Sequence, residues 1–487
     1  MSTLRTPLAN RLKQLLPSGA FGRAVAVVSG GTALGQLLTI GASPLLSRLY
    51  VPADFGTLAI YASLTGIIAM VGGLAYQLAV PVPESDVDAV NVLALSLLAF
   101  LVSSGLGAGL LLLFHARFMA WHRTAPLSWM LWLVPVGGFG LGAFEALSQW
   151  AVRTKSFGAL AKTSVTRAAG LVGIQGGWGL TSPSATGLVV GQLVGQWMGT
   201  ATLLRPALKW LPKLSPSRIW SAASRYRRFP LLTLPEVTVN AVSYFAPPLL
   251  LAYFFGSSVL GFYALQDRVT LVPIRLVGSS AQRVFFASAA DARRDGTLAE
   301  LTSRVFRQMV ELGIPFIALL AAGAPSAFAV FFGSGWREAG VYAQWLCLRT
   351  ALTMVVFPLT PLVYVLEKQG AGTAFQVLLL VCRVGPIVAG GLLASPRLAI
   401  ALSGMCIAAA WALYLLYLTA LSNNRPARML RPIAPALGAS VAFASPVIVA
   451  RILGLSDILV TALAAASGLL AAILMLRRRN RPTAPAV

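Results

Sequence analysis

Charged residues are scarce in this sequence. Only 11% of its 487 positions are Asp, Glu, Lys or Arg, where soluble proteins carry about a quarter. Acids are scarcer still, 14 against 38 bases. With a mean hydropathy of +0.78, that shortage excludes a soluble globular enzyme and points to a chain that crosses a membrane many times. Cysteine is nearly absent. Cys347, Cys382 and Cys406 all lie in apolar runs, which leaves no disulfide framework and no thiolate metal cluster. The two histidines, His115 and His122, sit in "HARFMAWHRT" without a carboxylate or cysteine neighbour, so no metal site is expected. Also missing are a glycine loop ending in Lys-Ser/Thr, which an ATP-driven motor needs, and a serine nucleophile elbow. No catalytic residue and no cofactor is expected, and the chain is not read as an enzyme. The net charge of +24 raises nucleic acid as a partner. The bases are spread over short loops with no compact basic domain, so that partner is not expected.

Long apolar runs are what the sequence does have. A helix spans the hydrocarbon core with about 20 residues. The runs that meet this length are 24–46, 55–80, 90–114, 127–149, 160–180, 184–204, 231–255, 257–280, 308–332, 340–366, 372–394, 398–421, 433–453 and 457–476. The expected fold is therefore an all-α polytopic membrane protein with about 14 transmembrane helices. Its expected organisation is a basic cytoplasmic segment 1–23, a six-helix bundle 24–204, a basic cytoplasmic linker 205–230, a second six-helix bundle 231–421, two extra spans in 422–476, and a cytoplasmic tail 477–487. Residues 5–22 read as a short amphipathic helix on the inner surface. No small-residue cleavage site follows a short apolar core, so the first run is expected to be a retained helix and not a signal peptide.

Orientation follows from the bases. With the N-terminus inside, residues 150–167 counted as an inner segment and Arg451 as outer, 28 of the 38 Lys and Arg fall in inner segments, six in outer ones and four inside spans. That asymmetry predicts cytoplasmic N- and C-termini. The inner loop "PVPESDVDAV" dissents, with three acids and no base, but acids weigh little in this rule. A repeat is also visible. "SPLLSRLYVPADFGTLAIYAS" resembles "PPLLLAYFFGSSVLGFYALQD": Pro44 matches Pro248, and Phe55-Gly56 matches Leu260-Gly261 with one residue of slippage. Six spans separate the copies, so they point the same way, with an axis along the membrane normal and a site between the halves.

Four arginines, Arg268, Arg275, Arg349 and Arg383, fall inside spans. A charged side chain at mid-bilayer costs about 2.5–3.5 kcal/mol on insertion scales. Each therefore needs a wet cavity, an acid or backbone carbonyls. Arg268 lies about 11 residues, roughly 17 Å, into its span, and Arg275 shares its helix face. Two readings stay open. Guanidiniums around one cavity suit an anionic ligand, a diphosphate above all. Alternatively Arg268 pairs with Asp267 or Glu236, Arg275 snorkels to the cytoplasmic side, and Arg349 and Arg383 pair with acids or carbonyls. Arg48, at the outer end of the first span, joins the cavity group.

Polar residues inside other spans extend the candidate set. Ser29, Thr32, Gln36, Thr39 and Ser43 form a stripe along the first span, either the wall of a hydrated cavity or a seam of helix–helix hydrogen bonds. Glu236, Asn240 and Ser243 share a face of the seventh. Glu236 and Asp267 are candidates for coupling to a proton or Na⁺ gradient, because burial raises a carboxyl pKa. Pairing with nearby bases is the alternative for Glu236, and Glu145 is treated the same way. Gly187, Gly191, Gly195 and Gly199, at every fourth position, read as a ridge for close helix packing.

The stretch "LSRLYVPADFGTLAIYASLTGIIAMVGGLAYQLAVPVPESDVDAVNVLALSLL" resembles the polysaccharide-biosynthesis flippases of the Wzx type, which share a superfamily with the MATE exporters and the MurJ lipid II flippase. An Arg-Leu-Tyr ends the first span, followed by Pro52, Asp54, Phe55 and Gly56, then Ala-Val-Pro and an acidic inner loop. "GFYALQDRVTLVPIRLVGSSAQRVFFASAADARRDG", with Gly261, Tyr263, Pro273 and Val284, is similar to a second family segment. The likeness covers roughly 24–310 and continues beyond only as hydropathy. It implies two pseudo-symmetric, MATE-like six-helix bundles around a central cavity, and alternating access. The implied substrate is an undecaprenyl diphosphate-linked oligosaccharide for O-antigen, exopolysaccharide or capsule, crossing a bacterial inner membrane. Membrane lipids, a polysaccharide polymerase and a chain-length regulator are the implied partners. The final two spans resemble an addition found in some lipid II flippases. The alternatives are a drug or cation exporter, which should place acids in its cavity, and a lipid II flippase. A different class is an O-antigen ligase or polymerase, which needs a larger outer loop with catalytic Arg and His.

Overall fold

A computed structural model describes residues 20–122, 127–272 and 274–479. The N-terminal amphipathic helix, Arg123 and the end of the tail lie outside the described residues. Among those described, every regular element is a helix. Lipid offers no partner to backbone N–H and C=O groups, and a helix satisfies them within itself. Nine helices there are long and apolar enough to cross a membrane. Four more, Ala20–Gly41, Leu133–Arg153, Phe157–Thr181 and Ala185–Leu208, occupy expected spans without meeting that measure. Phe157–Thr181, for example, carries Lys162, Arg167 and Gln175. The segment Phe229–Thr270 counts as one, yet its backbone leaves the helical region at Gly256, with φ 82° and ψ 176°. Those angles are essentially reserved for glycine, and they separate the expected seventh and eighth helices. The number fourteen itself is not fixed by these helices.

Prolines account for most departures from the expected spans. The first ends at Gly41, and a short helix, Ser43–Leu49, begins with Pro44 in its first turn. The eighth stops at Thr270 and resumes as Ser279–Arg294 after a π-helical turn, Ile274–Gly278. Pro273 supplies no N–H for a continuous ladder. The tenth is divided into Arg337–Trp345, Cys347–Val356 and Leu362–Val365, with Pro358 and Pro361 between the last two.

The chain divides into two compact units. Unit 1 holds Met1–Tyr50 and Ile60–Phe245, and unit 2 holds Val51–Ala59 and Ala246–Val487. In unit 1 the glycine ridge of Ala185–Leu208 lies against Phe157–Thr181. A Cβ at Gly191 would press on Gln175, one at Gly195 on the Arg167 carbonyl, and one at Gly199 on Thr163 and Arg167. Such close approach is what small residues permit between membrane helices. The basic segment 205–230 folds back onto this unit. Asn91 donates to the Lys213 carbonyl and accepts from the Ser215 N–H, and Trp210 packs edge-on against Trp150. The acidic loop before Asp86 meets bases here. Arg153 holds Asp86 at 2.9 Å and the carbonyls of Pro81, Pro83 and Glu84, and Arg218 lies 3.8 Å from Asp88.

In unit 2 a buried cluster of Phe306, Val310, Leu359, Leu379, Trp411 and Leu418 forms the core. Phe375 stacks on Tyr414 at 3.8 Å. The last two long helices belong to this unit: Val447 and Val460 pack on Leu319, and Asp457 is ion-paired with Arg337. Elsewhere large apolar side chains face outward, as Leu106 and Leu113 do at 65% and 78% exposure. Outward-facing leucines on a span are the natural contact with lipid tails.

Candidate functional site

Asp267 answers for one of the four intramembrane arginines. Tyr263 and Asp267 lie one helical turn apart in Leu234–Thr270 and so share a face. Opposite them, Arg349 enters from Cys347–Val356. Its Nη2 donates to Asp267 Oδ1 at 2.5 Å, and its Nη1 donates to the Tyr263 hydroxyl at 3.4 Å. Side-chain exposure is 11% for Arg349 and 28% for Asp267. A guanidinium this far from water requires such a partner, because an unpaired buried charge is strongly destabilising. The Arg383 charge also acts on Tyr263. This cluster lies wholly within unit 2.

The other arginines divide. Arg268 and Arg383 are half-buried and engaged in interactions of their own. Arg48 is exposed and likewise engaged. Arg275 lies on the π-helical turn, and its side chain is outside the described residues, as are those of His115 and His122. The pairing of Arg268 with Asp267 that adjacency allowed gives way to an Arg349–Asp267 pair. Consecutive residues diverge by about 100° around a helix, whereas a facing helix can present a fork directly.

Unit 1 holds the remaining candidates. Ser29 and Thr32 are exposed and Gln36 is half-buried. Farther along the stripe, Thr39 donates to the Gly35 carbonyl and Ser43 to the Thr39 carbonyl, so those two hydroxyls are spent on their own helix. Asn240 is half-buried, and its Oδ1 is enclosed without a hydrogen-bond partner. Glu236 is exposed. No group of three His, Cys, Asp or Glu that could hold a metal occurs among the described residues.

Two features escaped the sequence reading. Tyr263 is the second acceptor for Arg349, and its spacing of four from Asp267 was the available sign. Arg167, counted with the inner bases of 150–167 although it falls within the expected span 160–180, lies in the middle of helix Phe157–Thr181. Its guanidinium carbon stands 5.3 Å from the Phe144 ring centre, and its charge interacts with Glu145.

Residues 45–340 match the family described as polysaccharide biosynthesis protein. No curated protein sequence matches the chain. Among solved structures, a lipid II flippase MurJ in an inward closed conformation superposes with a TM-score of 0.70 at 10% identity, covering 93% of this chain and 99% of the other. An inward-facing multidrug resistance MATE family transporter of the MOP superfamily gives 0.54 at 13% identity, covering 82% and 96%. These likenesses fix the fold as that of the MurJ and MATE proteins, in a multi-pass membrane protein.

Proposed function

The chain belongs to the polysaccharide biosynthesis protein family, and from that premise we propose that it is a flippase for lipid-linked oligosaccharide. The substrate would carry an undecaprenyl diphosphate anchor and serve O-antigen, exopolysaccharide or capsule assembly. It would cross a bacterial inner membrane by alternating access between two six-helix halves, with fourteen spans and both termini cytoplasmic. The observation that carries this reading is family membership joined to a MurJ-like fold over nearly the whole chain. The charge pattern supports it. Asp267 is met by Arg349, and the Arg383 charge acts on Tyr263 beside them, so bases outnumber acids around that cluster, which suits an anionic headgroup. A cation exporter would need the opposite sign.

In this mechanism no bond is made or broken. The polyprenyl tail stays in lipid while the polar headgroup crosses a hydrated path lined by Gln36, Ser29, Thr32, Asn240, Arg48, Arg268, Arg275 and Arg383. The charge of the diphosphate is met by guanidinium forks. Glu236 is the candidate for coupling to H⁺ or Na⁺, and a polymerase and chain-length regulator are the partners downstream.

The test is deletion of the gene with analysis of lipid-linked sugars on each membrane face. Intermediates trapped on the cytoplasmic face are expected. Intermediates that reach the outer face and stay unpolymerised would overturn flipping in favour of a ligase or polymerase. Unchanged glycan with altered drug sensitivity would favour the exporter.

A further inference from the structure

We propose that Arg167 of unit 1 is an oxyanion-binding residue that grips the diphosphate of the substrate, an assignment that rests on the flippase reading above. The site is built from three helices. Arg167 lies about 15 Å along Phe157–Thr181 from its start. Its aliphatic stem rests on the glycine ridge of Ala185–Leu208, where a Cβ at Gly199 would stand 3.4 Å from Arg167 Cβ and 3.8 Å from its Cδ. The guanidinium lies over the Phe144 ring at 5.3 Å, within cation–π range. Glu145, the next residue on Leu133–Arg153, is close enough for the two charges to act on each other.

What sets this guanidinium apart is its lack of acceptors. Among the described residues it makes no hydrogen bond and no ion pair. Arg349 is held by Asp267 and Tyr263, and Arg153 by a carboxylate and three carbonyls. A guanidinium offers five N–H donors in a fixed fork, and those of Arg167 are not enclosed by the protein, which leaves them open to an acceptor from outside the chain. An oxyanion laid across the fork would satisfy two at once. Glu145 is exposed and offsets the charge from a distance without occupying the fork. A ligand can therefore enter without breaking an ion pair, which it would have to do at Arg349. The carboxylate also weakens the hold on an anion, as a carrier that must release its cargo requires.

The two residues thus have opposite expected effects, which a structural pair would not show. The full-length protein in nanodiscs is titrated with undecaprenyl diphosphate and undecaprenyl monophosphate, with inorganic pyrophosphate and glucuronate as competitors. Wild-type protein is expected to bind the diphosphate more tightly than the monophosphate, and pyrophosphate is expected to compete. Arg167→Gln should weaken binding about tenfold or more, the loss of charged hydrogen bonds, with Arg167→Lys between the two. Glu145→Gln should tighten binding while leaving thermal stability near wild type. Equal binding by Arg167→Gln, weakening by both substitutions together, competition by glucuronate in place of pyrophosphate, or no binding by wild type would each overturn the assignment. If Arg167→Gln fails to fold, the lysine and Glu145→Gln variants still decide it. The flippase reading is judged apart from this, by the face on which intermediates accumulate in the deletion strain: trapping there with intact binding by Arg167→Gln would remove the site and keep the function.

Discussion

Replacing Asp267 with asparagine keeps the shape of the side chain and removes the charge that holds Arg349. The guanidinium is then left at 11% exposure with a neutral amide and a phenol. Breaking a buried ion pair from one side costs about 3–5 kcal/mol. Asp267 retains 28% exposure, so the lower end, about 3 kcal/mol, is the reasonable expectation. For a unit of this size that corresponds to a fall of about 6–12 °C in Tm, readable by thermal unfolding of purified protein in detergent. Arg349→Met alone should also destabilise, by stranding Asp267. The double variant Asp267→Asn/Arg349→Met carries no charge, and neutral replacement of a buried pair is often tolerated. It should recover most of the loss, giving a coupling energy of about 2–3 kcal/mol in a double-mutant cycle. Costs that simply add, with coupling below about 0.5 kcal/mol, would refute the pairing. The same double variant separates structure from transport. If it folds and still moves substrate, Arg349 serves the fold; if it folds and is inactive, the cluster itself contacts the headgroup.

Gly56→Ala and Gly261→Ala should each cost about 2–3 kcal/mol, since overpacking here meets backbone and not a side chain that can turn away. Their effects should be less than additive, because one forced separation admits both methyl groups, and thermal unfolding of the three variants checks this. Gly256→Ala has open space for its methyl group, so its expected cost of about 1–3 kcal/mol is purely conformational; an unchanged Tm would contradict the backbone geometry. Arg153→Lys should loosen the loop 81–85 nearly as much as Arg153→Met, because an ammonium cannot reproduce the fork that reaches Asp86 and three carbonyls. Limited proteolysis of that loop reads the outcome, and full protection in the lysine variant would count against the network.

Much of the helical layout was legible because apolar length and loop charge are set by the bilayer and leave a mark in composition. The glycine ridge was legible for a similar reason, since spacing by four is itself the geometry of a helix face. Interruptions were harder to read. Pro44 and Pro273 announce breaks that the expected spans 24–46 and 257–280 run through, whereas the edges at 255 and 257 already bracket Gly256. Partnership was the least legible. Asp267 and Arg268 are neighbours in sequence and candidates for each other, yet the acid serves Arg349, distant in the chain. Which helix faces which is decided by packing, and a list of buried charges does not contain it. Arg167 shows a different error: it falls inside the expected span 160–180 but was grouped with Lys162 and the inner-loop bases, so it was not counted among the intramembrane arginines.

The repeat seen in the letters gains physical content at one contact. Val51–Ala59 is carried on unit 2, and there the Pro52–Gly56 segment of the first copy meets the Ser257–Gly261 segment of the second. A Cβ at Gly56 would fall on the Ser257 carbonyl, and a Cβ at Gly261 would fall on the Pro52 carbonyl. Pro52 precedes Gly56 by four residues, and Ser257 precedes Gly261 by four. Each glycine therefore receives the backbone of its counterpart's preceding turn. Reciprocity of this kind, in which position i meets j while the equivalent of j meets the equivalent of i, is the mark of a two-fold contact. The glycines matched between copies are thus the residues at which the copies touch, and the absence of a side chain at both is the condition for that approach. A duplicated pair of turns that must share one close contact has a reason to keep glycine in both places, which the resemblance of the two stretches alone does not supply.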